Sequence, residues 1–400
     1  MGTDRLIYIR TDANSTIATG HMMRCLSVAN ACLQKGMQVC FVVSDEESKS
    51  VFDSLAADAV SPEYMSFLSV HILQTALYDD LEKELPELTD MLVANKTDIL
   101  LLDSYFVTPV YLEALSPVTK IAYIDDLRSF DYNVDLLINY DIIPDALMDE
   151  YKASYQNAGK CLLGGCYTPL RNQFQNQTFT VRNFLPDDDH TNLSGSRNPD
   201  ILITTGGSDP YHFCLHFLQS AKHLPVTFHV VIGRLNTDRD ELARYAEAVK
   251  VSASLPDEAI CNVVLHENVT DMASLMLSCD FAVSAAGTTL YELCALGVPS
   301  VSYTMADNQM ATADAFDAAG AVSYAGDIRP ARDFSLRTCD ASHRPKINNK
   351  VIERIVKHLS KMTLMSDSFS KRKSAHENMR RLVDANGASR IAEALLLCIE

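Results

Sequence analysis

The sequence has no Cys-x-x-Cys pair, no run of about eighteen apolar residues and no block of clustered basic charge, and each absence closes a class of function. Its eleven cysteines are scattered from Cys25 to Cys398; an odd count in apolar contexts favours reduced thiols of a cytoplasmic protein over a disulfide frame. No Cys/His group has zinc-ligand spacing, so neither a metal nor another cofactor is expected. Gly2-Thr3-Asp4 leads into a strand without a basic segment or a long apolar stretch, so neither a secretory signal nor a membrane span is expected. There are 34 Lys and Arg against 52 Asp and Glu, a net charge of -18. That balance argues against a nucleic-acid partner, whose phosphates want clustered cations.

What is present is length and alternation. Four hundred residues at 47% hydrophobic content exceed what one small core needs, so two domains are expected. Strands are expected over 5–10, 37–43, 70–73, 98–103, 120–125 and 135–139. Helices are expected over 22–35, closed by Gly36, and over 49–57 and 77–96, where Pro86 should kink or divide the last. Short loops between alternating strands and helices imply a parallel sheet covered on both faces. The polar segment 186–199 reads as a linker. A second α/β domain over 200–327 then repeats the pattern, with strands over 200–205, 227–232, 263–269, 280–284 and 298–303. The remainder, 328–400, is a polar stretch followed by helical spacing over 350–364 and 366–397, with a break at Gly387, expected to pack back across a domain face.

The organising stretch is Arg10-Thr-Asp12 to Gly20-His21-Met-Met-Arg24, which joins the first strand to the first helix. Such a turn lies at the carboxyl edge of a parallel sheet, where open α/β folds bind ligands and helix N–H groups face outward. A helix N-terminus disfavours an imidazolium, which suits a His21 that accepts a proton as a general base; the same residue could equally cap or pack the turn. Tyr105 and Asp125 leave other strand ends on the same edge. Tyr105 could orient a sugar or donate a proton, or simply pack with a wet hydroxyl. In the second half, Gly206-Gly207-Ser208-Asp209 and Ala286-Gly287-Thr288-Thr289 each follow a strand and open a helix, and two such loops could clamp a diphosphate. Ser208 and Asp209 could also be simple helix caps. Glu292 could accept from ribose hydroxyls or answer the helix dipole.

Together these residues, with Asp103-Ser-Tyr105, Ile124-Asp125-Asp126, Leu163-Gly164 through Arg171 to Phe174, and Asn308-Gln309, resemble the PseG family in order over about residues 5 to 325. The likeness resumes weakly at Asp384 to Ile391. That family consists of UDP-2,4-diacetamido-2,4,6-trideoxy-β-L-altropyranose hydrolases of bacterial pseudaminic acid biosynthesis. The resemblance implies a GT-B, MurG-like architecture of two Rossmann-like domains with an interdomain cleft, over 1–185 and 200–327. It implies a hydrolase in which water attacks the anomeric carbon with His21 as base and Tyr105 in the same site. It also implies sugar-side contacts from Asp12, Gly20, Arg24, Asp125, Arg171, Asn308 and Gln309. UDP would be held by Gly206, Gly207, Ser208, Asp209, His266, Asn268, Val269, Ala286, Gly287, Thr288, Thr289 and Glu292. The partner is then a small UDP-sugar, with the chain a monomer or weak oligomer. Ala18 stands where the family usually has glycine, and 187–198 and 328–349 have no counterpart in it. Two other readings stand beside the hydrolase: a GT-B glycosyltransferase using a related UDP-sugar, and a non-catalytic nucleotide-sugar-binding subunit.

Overall fold

A computed structural model describes residues 5–14, 19–184, 198–252, 261–330, 346–364 and 368–400. The chain falls into two compact units, Met1–Gln175 with Val383–Glu400, and Asn176–Leu382. The expected linker lies almost wholly in 185–197, outside the described residues, as does Ala18.

In the first unit the order is β1 (Leu6–Thr11), α1 (Gly20–Gln34), β2 (Gln38–Val43), α2 (Glu46–Ala59), β3 (Leu68–Ile72), α3 (Leu85–Ala94), β4 (Ile99–Asp103), α4 (Pro109–Leu115), β5 (Lys120–Ile124), β6 (Leu136–Asn139), α5 (Met148–Ala153) and β7 (Lys160–Leu163). The strands form one parallel sheet in the order β3-β2-β1-β4-β5-β6-β7. Alternation along β1 feeds two cores: Ile7 and Ile9 join α1 and α2 on one face, while Tyr8 joins the Leu100, Tyr111 and Tyr123 cluster on the other. Each such fully buried aliphatic side chain contributes about 1.5–3 kcal/mol. Gly36 ends α1 at φ 82°, where its N–H reaches the Leu33 carbonyl and that of Met37 the Cys32 carbonyl.

The expected helix over 77–96 is shorter. Residues 81–84 make one tight turn and α3 starts only at Leu85, with Pro86 in its first turn, where a missing N–H costs nothing. The strand β7 has no sequence expectation behind it, being four residues at the sheet edge.

In the second unit the order is β8 (Asp200–Thr204), α6 (Phe213–Ala221), β9 (Thr227–Ile232), α7 (Arg239–Ser252), β10 (Asn262–Glu267), α8 (Met272–Ser278), β11 (Phe281–Ala285), α9 (Thr288–Leu296), β12 (Ser300–Thr304), α10 (Met310–Ala318), β13 (Ser323–Asp327), α11 (Asn349–Leu364) and α12 (Ser368–Leu382). Its sheet is also parallel, in the order β10-β9-β8-β11-β12-β13. The C-terminal stretch divides between the units. Val351, Ile352, Ile355 and Leu359 of α11 enter the second core, whereas α13 (Gly387–Ile399) returns to the first, burying Ala388, Ile391, Ala392 and Leu395 beside α1. Gly387 permits that return, because a Cβ there would collide with the Thr168 carbonyl. Among the described residues no helix is long and apolar enough to cross a membrane.

Candidate functional site

Both sheets reverse their strand order beside the first strand of the unit, between β1 and β4 and between β8 and β11. The carboxyl ends of the strands flanking such a reversal leave a crevice that ligands use. In the first unit β1 and β4 run in register, with Thr11 opposite Asp103, so the loop into α1 and the end of β4 emerge side by side.

His21, the second residue of α1, meets Asp103 there: Nδ1 lies 2.5 Å from Oδ1. Arg24, one turn along, donates from Nε to Asp103 Oδ2 at 2.6 Å and from Nη2 to Oδ1. Burial alone would raise the Asp103 carboxyl, but the Arg24 guanidinium and then His21 overcome it and hold the group well below the usual carboxylate range. An ionised carboxylate only accepts, so the proton of the short bond belongs to His21 Nδ1. Arg24 Nη2, 3.0 Å from that nitrogen, is a second donor to the same oxygen. In the neutral ring this leaves the lone pair on Nε2, the nitrogen able to take a proton.

The Tyr105 ring stands edge-on to His21 with centroids 4.6 Å apart, and its hydroxyl donates to Asp126 Oδ2 at 3.2 Å. His21 is 6% exposed and Tyr105 40%, so the tyrosine forms the open wall of the pair. Burial, then Asp126, pushes the Tyr105 hydroxyl up, which keeps it a hydrogen-bond donor. Arg24 also donates to Asp126 at 3.1 Å and to the Tyr140 hydroxyl. Gly20 is exposed, and a Cβ there would meet nothing within 4 Å.

The remaining sugar-side candidates are placed differently. Asp12 is buried and accepts from Arg10 Nη1 at 2.6 Å and from the Ser44 N–H at 2.7 Å; Arg10 in turn forks onto Glu84 with two 2.7 Å bonds. Asp125 is also buried, accepting from the N–H groups of Leu127 and Arg128 and the hydroxyls of Tyr132 and Tyr155. Both carboxylates shape loops of the edge. Arg171 follows β7, its guanidinium carbon 5.3 Å from the centre of the Phe174 ring. The residues that sequence reasoning left without a role here are Asp103, Asp126 and Tyr140. Asp103 and Asp126 carried one usable signal, an acid at or just past the end of an apolar strand.

In the second unit the edge is made of backbone. Gly206 takes φ 82°, and Cβ atoms at Gly206 and Gly207 would meet nothing within 4 Å. Behind them Gly233 packs so closely that a Cβ would strike both of their carbonyls. Asp209 is buried and accepts from the N–H groups of Phe213 at 2.8 Å and Cys214 at 3.0 Å, so it caps α6, with Ser208 half-buried beside it. Across the reversal, α9 starts after Ala286 with Gly287 at its N-cap, a residue with no side chain to cap the first turn at Thr288 and Thr289. Glu292 sits one turn in, 8% exposed. The Gln309 amide nitrogen comes within 4.0 Å of where a Gly287 Cβ would be, and its Oε1 accepts from Met305 N–H, which brings the turn holding Asn308 and Gln309 to the same loop.

At the end of β10, His266 Nε2 lies 2.9 Å from His229 Nδ1, and His229 Nε2 lies 3.0 Å from Asp200 Oδ1. Burial, then His229, holds the His266 imidazole below its ordinary value. Asn268 follows at φ 52°, turning the chain out of the strand before Val269.

No family model matches the chain. It is 26% identical over 212 residues to the spore coat polysaccharide biosynthesis protein SpsG of Bacillus subtilis, covering 52% of each chain. It is 23% identical over 308 residues to the uncharacterized protein MJ1062 of Methanocaldococcus jannaschii, covering 74% of this chain and 54% of that one. The chain thus spans about half the length of the curated relatives it matches. Among solved structures it resembles MurG of Acinetobacter baumannii (TM-score 0.61, 12% identity, 99% of this chain and 100% of that one). It also resembles Arabidopsis thaliana UGT89C1 complexed with quercetin (0.62, 12%, all of both chains) and the glycosyltransferase VinC in complex with dTDP (0.53, 12%, 98% and 99%). Likeness at this identity establishes the fold, which is GT-B.

Proposed function

We propose that this GT-B chain is a hydrolase that releases UDP from UDP-2,4-diacetamido-2,4,6-trideoxy-β-L-altropyranose. The observation that carries the reading is the His21–Asp103 pair beside the sheet reversal, with Nε2 left as the accepting nitrogen. His21 Nε2 takes a proton from water as the water oxygen bonds to the anomeric carbon. The bond from that carbon to the diphosphate oxygen breaks, and its electron pair leaves with UDP. The imidazolium so formed is held by Asp103, which keeps the ring in place without itself taking the proton. Asp103 and Arg24 are positioning residues in this scheme, as are Asp12 and Asp125, while Tyr105, Gly20 and Arg171 contact the sugar. In the second unit the Gly206-Gly207 loop and the uncapped start of α9 hold the diphosphate through backbone N–H groups, which stabilise the departing charge. His266, Asn268, Val269 and Glu292 complete the nucleotide side, and Asn308 and Gln309, in the turn beside Gly287, contact the sugar.

A second reading, transfer of a related sugar to an acceptor other than water, is favoured by the solved neighbours described as glycosyltransferases. The deciding assay is UDP release from the altropyranose nucleotide without acceptor and with EDTA, against UDP-N-acetylglucosamine as control. Selective release is expected. UDP binding with no release until an acceptor is added would replace hydrolysis by transfer.

A further inference from the structure

The second unit carries a cavity of about 400 Å³ that none of the residues above line. It lies at the amino ends of β12 and β13, where Ser300 and Ser323 begin those strands, so the length of the sheet separates it from the glycine loops at the carboxyl edge. Its other walls come from α11 and α12, which contribute His358, Lys361, Lys371 and Arg372. Asp317 is the one carboxylate among the described lining residues, and it already accepts from the Tyr324 N–H at 2.8 Å.

The charge here opposes that of the whole chain. Residues 346–382 hold ten Lys or Arg against three Asp or Glu, in a protein whose net charge is -18. Arg372 is the sharper observation. It is 3% exposed, and although Nη1 donates to the Arg182 carbonyl at 2.5 Å, neither Nε nor Nη2 has a hydrogen-bond partner among the described residues. Its guanidinium carbon lies 4.8 Å from the Phe184 ring centre and 5.2 Å from that of Phe281, so the charge sits against aromatic faces. Burial pulls the guanidinium down to about 10, with Asp280 acting the other way. Burial and Lys361 likewise hold the His358 imidazole below its ordinary value, against Asp317. A pocket lined by a buried guanidinium side chain and by two exposed ammonium groups has the chemistry of an anion site.

We propose that this cavity binds a small phosphate-bearing anion, separately from the nucleotide loops. Lys361 and Lys371 are exposed and bring point charges to the mouth, while Arg372 supplies fixed charge behind them. A free phosphorylated metabolite and a phospholipid headgroup share this chemistry; a cavity of about 400 Å³ has room for the whole of a small free molecule. The test is calorimetric titration of inorganic pyrophosphate into the full chain, with and without saturating UDP, using the wild type and Lys361→Ala/Lys371→Ala. With UDP saturating, one pyrophosphate should bind, roughly tenfold or more weakly in the double variant, with its thermal midpoint and UDP affinity unchanged; without UDP a second should bind at the glycine loops, with an affinity that the lysine changes leave alone. Equal affinity in the two proteins, or loss of pyrophosphate binding whenever UDP is present, would overturn the site. Lysine-dependent sedimentation with phosphatidylglycerol vesicles in place of pyrophosphate binding would overturn the free-ligand assignment. Should the chain bind no UDP, the proposed hydrolase falls, yet the titration without UDP still reads this cavity.

Discussion

The two carboxyl edges of this molecule share one winding and differ in almost every residue. Each sheet reverses beside its first strand, and each places a strand–helix loop on either side of the reversal. The first edge is built from side-chain charge: Asp103 between His21 and Arg24, Asp12 on Arg10, Asp126 on Arg24 and Tyr105. The second is built from glycine and helix-start backbone, and Asp209, two residues past Gly207, is spent on capping α6. Topology supplies the place and the residues supply the chemistry, so one winding carries an edge of paired side-chain charges in one unit and an edge of glycine backbone in the other.

That division is broken most directly by His21→Asn. It removes the accepting nitrogen while leaving the second edge intact, so turnover should fall by about 10²–10⁴ with UDP affinity unchanged. Steady-state UDP release and UDP titration check it; equal losses in both would mean that His21 supports structure and not proton transfer. The reciprocal test is Gly287→Val. Gly287 lies at φ −101°, which any residue adopts, and its Cβ would meet only the Gln309 amide nitrogen at 4.0 Å. Because Gly287 is the N-cap of α9, stability should fall by about 0.5–2 kcal/mol, while the new side chain occupies the space a phosphate needs and weakens UDP by roughly tenfold or more. Unaltered UDP affinity would reduce that loop to a turn.

Much of this architecture was legible in sequence because its signals are local. The β1–α1 junction shows an apolar strand, then apolar residues at helical spacing, then Gly36; the β8 and β11 loops show glycine after a strand. What was not legible depends on partners far along the chain. Asp103 and His21 are 82 residues apart and meet only because β4 pairs with β1. Asp125 and Asp12 look like open carboxylates in sequence, and only the folded loops supply the donors that occupy them. The edge strands β7 and β13 are short and half-buried, β13 with a glycine at φ 116°, so period-two patterning never develops. Gly387 read as a break within a helical stretch, whereas its physical role is to let α13 start against the 167–168 backbone of the first unit.

The smallest expected effect sharpens the comparison from within the first edge, where two carboxylates answer to opposite forces. Asp103 is held low by Arg24 and His21 despite its burial, so its contribution to stability is full above the unfolded value of about 3.9 and is lost as pH falls below it. Asp141, just past β6, is pushed up to about 6, by burial first and then by Asp126, against the Asn139 and Tyr151 hydrogen bonds. The folded state there binds the proton more tightly than the unfolded chain does, so this group costs stability as pH rises from about 4 to 6, and the cost persists above that range. Asp141→Asn keeps an acceptor for the Tyr151 hydroxyl and removes the charge. It should therefore raise stability at pH 7.5 by on the order of 1–2 kcal/mol, less than the full linkage value because the residue is partly exposed, and leave it unchanged near pH 4. Urea unfolding at the two pH values reads the difference. A variant less stable at both would show that the Tyr151 and Asn139 bonds outweigh the repulsion from Asp126, and that this edge tolerates its charges without cost. A gain confined to neutral pH would show that the charged edge is maintained at the expense of stability.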